Sequence, residues 1–134
     1  MPSLSISVPG KAASGRPRIK AGGRGMYNVK PVRDWMNHTR SMAVAQVANQ
    51  IPKPVPIGIM MNFYLPWPKG TPKAKALTYG PHPERPDIDN LMKPVLDALS
   101  EAGLWGDDSQ IDTLGAQKWR CPRGQERAEI VVSW

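Results

Sequence analysis

The sequence predicts an α+β fold, a small mixed sheet with two main helices, in one domain spanning residues 1–134. Three observations carry this expectation. Short segments near both ends and in the middle have the two-residue alternation or compact apolar runs of strands. Two longer segments, 31–50 and 90–102, read as helices, the second with apolar residues at three- and four-residue steps. The stretches between them are dense in Pro and Gly, 15 and 12 in the chain, which interrupt regular elements.

Taken in order, Leu4, Ile6 and Val8 alternate with Ser3, Ser5 and Ser7, so residues 3–8 read as a strand with one buried face. Pro9-Gly10 ends it. Residues 10–28 are Gly-rich, cationic and aperiodic, the pattern of a mobile loop. Pro31 suits the first turn of a helix that carries Trp35, Met42, Val44 and Val47 to about Gln50. Pro52, Pro54 and Pro56 mark its exit, and Ile57–Leu65 reads as a second strand. An irregular, Pro-rich and mostly basic stretch follows as far as Pro86. Leu91, Val95, Ala98, Leu99 and Ala102 define the second helix, with Gly103 as its stop. Pro94 would cost about 3 kcal/mol inside a helix, so the start is expected at Asn90 or Leu91. Ile111–Leu114 and Ala128–Val132 supply the last strands, joined through the basic segment KWRCPRGQER.

A chain of 134 residues can bury one real core. No apolar run approaches the roughly 20 residues of a membrane span. The first residues lack the charged-then-apolar order of a signal peptide. Cys121 is the sole cysteine and cannot form an internal disulfide, which suits a reducing compartment and predicts a cytoplasmic protein.

The charge is unevenly placed. Residues 1–40 hold Lys11, Arg16, Arg18, Lys20, Arg24, Lys30, Arg33 and Arg40 against Asp34 alone, and the rest of the chain balances, so the whole net charge of +7 lies in this first third. A pI near 9.9 with such clustering is the electrostatic footprint of a nucleic-acid binder. Lys11, Arg16, Arg18, Lys20 and Arg24 are the expected phosphate contacts.

Against that background the acidic residues are conspicuous. Asp87 and Asp89 precede the second helix and Asp107-Asp108 follow it, in a chain with only 11 acidic residues against 18 basic. Gathered like charges are unfavourable unless a cation or proton neutralises them. Carboxylates without a nearby His or Cys favour a hard ion such as Mg²⁺ over zinc. A calcium loop is excluded, because its sixth position would be Met92 rather than Gly and its twelfth Ala98 rather than Glu. Each residue also has a plainer role: Asp87 and Asp89 as helix caps, Asp107-Asp108 as a polar turn, Lys93 as a salt-bridge partner of Asp89 or Asp97. A hard-cation site on a basic protein points to a phosphate substrate, and so to a nuclease.

The strings DIDNLMKPVLDAL and GLWGDDSQI, with the opening ISVPGKAASGRPR, resemble the RusA family of Holliday junction resolvases. The likeness covers most of the chain. It implies a small α+β homodimer, bacterial or phage-encoded, that cleaves four-way branched DNA symmetrically with Mg²⁺, with Mn²⁺ as a substitute. The family's metal-binding catalytic aspartates fall on Asp87, Asp89 and Asp108, and its essential lysine on Lys93, as a cation aimed at the scissile phosphate. Asp107 carries less of the family's weight than Asp108. One carboxylate cluster per chain against two opposed strands calls for a two-fold dimer. A competing class is a DNA-binding accessory protein whose metal site is degenerate or structural. Trp105 and Trp119 are expected in the core or a dimer contact, Trp67 in a basic loop is a weaker candidate for base stacking, and His38 and His82 lie away from any motif.

Overall fold

The fold comes from a computed structural model that describes residues 2–15, 18–23 and 25–134. Its strands are β1 (Ser3–Pro9), β2 (Arg18–Ile19), β3 (Met26–Tyr27), β4 (Ile57–Pro66), β5 (Gly80–Pro81), β6 (Ile111–Cys121) and β7 (Arg127–Ser133). The helices are α1 (Lys30–Gln46), α2 (Lys73–Ala76) and α3 (Ile88–Glu101). A five-stranded mixed sheet runs in the order β1-β7-β4-β6-β5, with β4 and β6 parallel and the other pairs antiparallel. The expected α+β architecture is the one observed, with two main helices.

Alternation sets which face is buried. Ile6 and Val8 of β1, Ile57, Ile59, Met61, Phe63 and Leu65 of β4, and Ala128, Ile130 and Val132 of β7 are all buried. Trp35 and Ala43 of α1 and Leu91, Val95 and Leu99 of α3 close over them. The two helices also pack on each other through Val32, Met36 and Ala98. Burying a Phe or Ile side chain is worth about 1.5–3 kcal/mol, so this layer is what holds α3 and its acidic end in place.

Four boundaries differ from the sequence reading. α1 stops at Gln46, and Val44 is 55% exposed because it lies off the helix face on which Trp35, Thr39 and Ala43 are buried. The loop expected over residues 10–28 contains the exposed ribbon β2–β3. The strand expected over Ile111–Leu114 continues to Cys121, because the polar residues of its second half are paired between β4 and β5. Lastly, α3 starts at Ile88, which puts Pro94 inside it. Proline has no N–H for the Asn90 carbonyl one turn back. That carbonyl instead accepts from the Gly15 amide at 3.1 Å, so a residue distant in sequence replaces the missing bond.

Candidate active site

The N-terminal turn of α3 presents the first acidic pair. The Asp87 carbonyl accepts from the amides of Asn90 and Leu91 at 3.1 and 3.3 Å. The Asp87 side chain sits at the cap position but makes no capping hydrogen bond, and its residue is exposed. Asp89 lies in the first turn, also exposed, where the helix dipole favours negative charge. One turn on, Lys93 Nζ donates to Asp97 Oδ1 at 2.7 Å. These side chains are 53% and 28% exposed, so the pair is worth no more than about 1 kcal/mol and the ammonium is cheaply redirected.

The loop entering α3 is tied down from β6. Lys118 Nζ donates to the carbonyls of Glu84 and Pro86 at 2.5 and 2.8 Å, fixing the backbone on both sides of Arg85, next to Asp87. Arg120, almost fully buried, donates to the Pro66 carbonyl at 2.9 Å. His82 is buried at the start of the loop, and its Nδ1 accepts from the Glu84 amide at 3.3 Å. Burial first, then the nearby Arg120 and Lys118, hold its imidazole below the usual histidine range.

Asp108 stands in a different turn. Its Oδ1 accepts from the Trp105 indole N–H at 2.7 Å, and Trp105 is itself buried, so one carboxylate oxygen is held while the residue faces solvent. Asp107 caps the short 3₁₀ turn Asp108–Gln110 in a capping box. The Ser109 backbone amide holds the Asp107 carboxyl below its usual range. Gln110 is the organiser of this turn. Its Oε1 accepts from the amides of Gly106 and Asp107 at 2.9 Å each, and its Nε2 donates to the carbonyls of Pro52 and Val55 at 3.1 Å each. The pattern Gly-Asp-Asp-x-Gln is thus a wound turn whose outward residue is Asp108.

Asp87 and Asp89 share one end of α3, and Asp108 lies beyond the other. The 14 residues of α3 measure about 20 Å. Leu104 N bonds Leu99 O at 3.4 Å at its far end, and the chain then turns into Trp105 and Asp108. The sheet agrees: Ile57 pairs with Ile111 near Asp108, whereas Phe63 pairs with Lys118 near Asp87, roughly 20 Å further along. Among the described residues no three His, Cys, Asp or Glu side chains gather closely enough to hold a metal ion. One chain therefore offers Asp87 and Asp89 at one end of α3 and Asp107 and Asp108 beyond the other, not the single cluster expected.

Residues 9–133 match the family model described as Endodeoxyribonuclease RusA. The chain belongs to the RusA family. It is similar to the crossover junction endodeoxyribonuclease RusA of Escherichia coli (strain K12), 38% identical over 53 residues, 40% of this chain and 43% of that one. It also resembles the crossover junction endodeoxyribonuclease of Enterobacteria phage 82, 33% identical over 76 residues, 57% and 60% of the two chains. The matched segments thus span less than two thirds of either relative.

In this RusA-family chain the basic candidates Lys11, Arg18 and Lys20 are exposed, and Arg16 and Arg24 lie outside the described residues. Trp67 is folded into its own loop: its indole N–H donates to the Thr78 carbonyl at 2.8 Å and Lys75 Nζ lies 5.1 Å from its ring centre. Trp105 is buried, and half-buried Trp119 bonds Asn62 Oδ1 at 2.9 Å. His38 Nε2 meets the Pro9 carbonyl at 2.8 Å. Lys118 had no role in the sequence reading, and Gln110 entered it only as part of the string GLWGDDSQI, since their partners are backbone carbonyls and amides, which leave no pattern in side-chain identity. No helix of the described residues is long and apolar enough to cross a membrane.

Proposed function

We propose that this chain acts as a two-fold homodimer that hydrolyses phosphodiester bonds at four-way DNA junctions. Each site would draw Asp87, Asp89 and Lys93 from one protomer and the partner's Asp108 from the other. The observation that carries this reading is the roughly 20 Å between the two acidic ends of one chain. All three carboxylates are exposed and therefore open to a second copy. A two-fold axis that apposes unlike ends builds two identical sites at once, as many as there are strands to cut. The names of the similar proteins supply the substrate, a crossover junction in DNA.

The donor set fits a hard cation, since every candidate ligand is a carboxylate, though one chain alone does not assemble three of them. Mg²⁺, or Mn²⁺ in its place, would supply water activation and charge neutralisation at the reacting phosphate when held there. Lys93 exchanges its exposed bond to Asp97 for a phosphate oxygen and offsets charge that builds in the transition state. The Trp105 indole keeps Asp108 from rotating, and Lys118 keeps the Asp87 loop from drifting. Lys11, Arg16, Arg18, Lys20 and Arg24 engage phosphates without reading bases.

The test is cleavage of synthetic four-way junctions beside matched linear duplexes, with and without EDTA. Metal-dependent paired incisions confined to the junction are expected. Undiminished cleavage in excess EDTA contradicts the metal site, and tight binding without cleavage favours the accessory-protein reading.

A further inference from the structure

Pro94 lies in the middle of α3, on the helix that carries Asp89 and Lys93, and it is buried rather than at a solvent-facing bend. A proline there removes one N–H from the helix and leaves the carbonyl of Asn90 without its usual donor. The Gly15 amide fills that vacancy at 3.1 Å. Gly15 is a close fit: a Cβ built on it would lie 2.9 Å from Val32 Cγ2, and Val32 is buried in the contact between α1 and α3. Any side chain at position 15 must therefore displace Val32 or move away from it.

The segment leading to Gly15 is fastened at several points. The Gly10 amide donates to the Glu126 carbonyl at 2.9 Å, and His38 bonds the Pro9 carbonyl at 2.8 Å. Ala12 is buried in the main core, and Ala13 packs against both apolar clusters. The chain thus runs pinned across both helices, and its last described anchor before Arg16 is the gap made by Pro94. That anchor, on the carbonyl of Asn90, is next in sequence to Asp89, and in sequence the cationic stretch 16–24 follows directly after Gly15.

We infer that Pro94 is a docking notch and Gly15 its key, together fixing the chain at the acidic end of α3 just ahead of its cationic stretch, so that DNA phosphates held by that stretch reach the carboxylates. Both are positioning residues, since neither touches the reacting atoms. The inference rests on the proposed DNA-cleaving function and names the device that couples binding to the site.

The decisive variant is Pro94→Ala. It restores a helix N–H to the Asn90 carbonyl, which then competes with the Gly15 amide for that acceptor. Val95→Ala is the control, because it trims a neighbouring buried side chain without adding an N–H. Three readouts separate seating from folding: hydrogen exchange at the Gly15 amide, the salt dependence of junction affinity, and single-turnover cleavage at saturating enzyme. In Pro94→Ala the Gly15 amide should lose its protection, affinity should fall by about fivefold or more and the salt dependence should flatten. Single-turnover cleavage at saturation should also fall, by about fivefold or more, since the phosphates held by the segment no longer meet the carboxylates. Val95→Ala should change none of the three beyond what its loss of stability explains. Gly15→Ala should match Pro94→Ala, and the double variant should be no worse than either, the mark of one shared interaction. Retained Gly15 protection with unchanged affinity in Pro94→Ala overturns the notch, as do equal losses in Val95→Ala or additive effects of the two substitutions. If the wild type binds no DNA, the functional reading fails, and Gly15 exchange alone then decides whether the seat exists.

Discussion

Asp108 and Asp107 are adjacent yet have opposite jobs. Asp107 spends its carboxylate on the turn, whereas Asp108 keeps one oxygen on Trp105 and turns outward. Asp87→Asn, Asp89→Asn and Asp108→Asn should each abolish junction cleavage while leaving junction binding intact, read by gel shift beside a cleavage assay. Full activity in any two of them contradicts the assignment. Lys93→Ala should slow cleavage at least about tenfold with little change in affinity. Its effect on stability should stay below about 1 kcal/mol, because the bond to Asp97 is exposed. Gln110→Ala should behave in the opposite way: it removes four part-buried hydrogen bonds to the backbone, and should cost about 1–3 kcal/mol in urea unfolding. The aspartates were legible in the sequence because acidic residues stand out in a cationic chain. The roles of Gln110 and Lys118 were not, because both donate to backbone carbonyls 32 to 58 residues away.

At the scale of elements, periodicity located β1, β4, β7 and both main helices within a few residues. It failed where tertiary partners replace local ones. α3 extends ahead of Pro94 because Gly15 supplies the donor the helix lacks, and no local rule reports a donor so remote. β6 outruns its apolar part because it is bordered by strands on both sides, so backbone pairing rather than side-chain burial extends it. The loop between β5 and α3 should respond to pH through His82. Its folded-state pKa is lowered, so below the unfolded value near 6.5 the unfolded chain binds the proton that the folded chain refuses. Stability is then fully present above about pH 6.5 and falls as the pH drops from there toward the folded value. Thermal unfolding measured between about pH 5 and 7 should show this slope in the wild type and lose it in His82→Asn. An unchanged slope in that variant would assign the effect to other groups.

At the scale of the molecule, two uneven distributions define the account. The net charge of +7 is concentrated in the first 40 residues, and the carboxylates are divided between the two ends of α3. The first was plain in the sequence. The second was not, because a spacing of 19 residues between Asp89 and Asp108 says nothing about distance until the helix between them is known to be straight and packed along the sheet. Neutralising Arg16, Arg18 and Lys20 together should weaken binding to all DNA sequences alike and flatten its salt dependence, measured by titration at several salt concentrations. A loss confined to one sequence would indicate base readout instead.

The most direct test of a site shared between protomers is to mix two inactive chains. Asp89→Asn dimers lack one carboxylate of the Asp87–Asp89 pair and Asp108→Asn dimers lack its complement, so neither should cleave alone. In a mixed dimer one site combines both lesions, and the other combines an intact Asp87 and Asp89 with an intact Asp108. Differently tagged chains, unfolded and refolded together, should therefore regain metal-dependent nicking of one junction strand, with about a quarter of all sites restored by random pairing. Binding of Mn²⁺ should return in the same proportion, independently of turnover. Recovery of both is the predicted result. Mixed dimers verified by mass that neither nick junctions nor bind the ion would contradict the shared site.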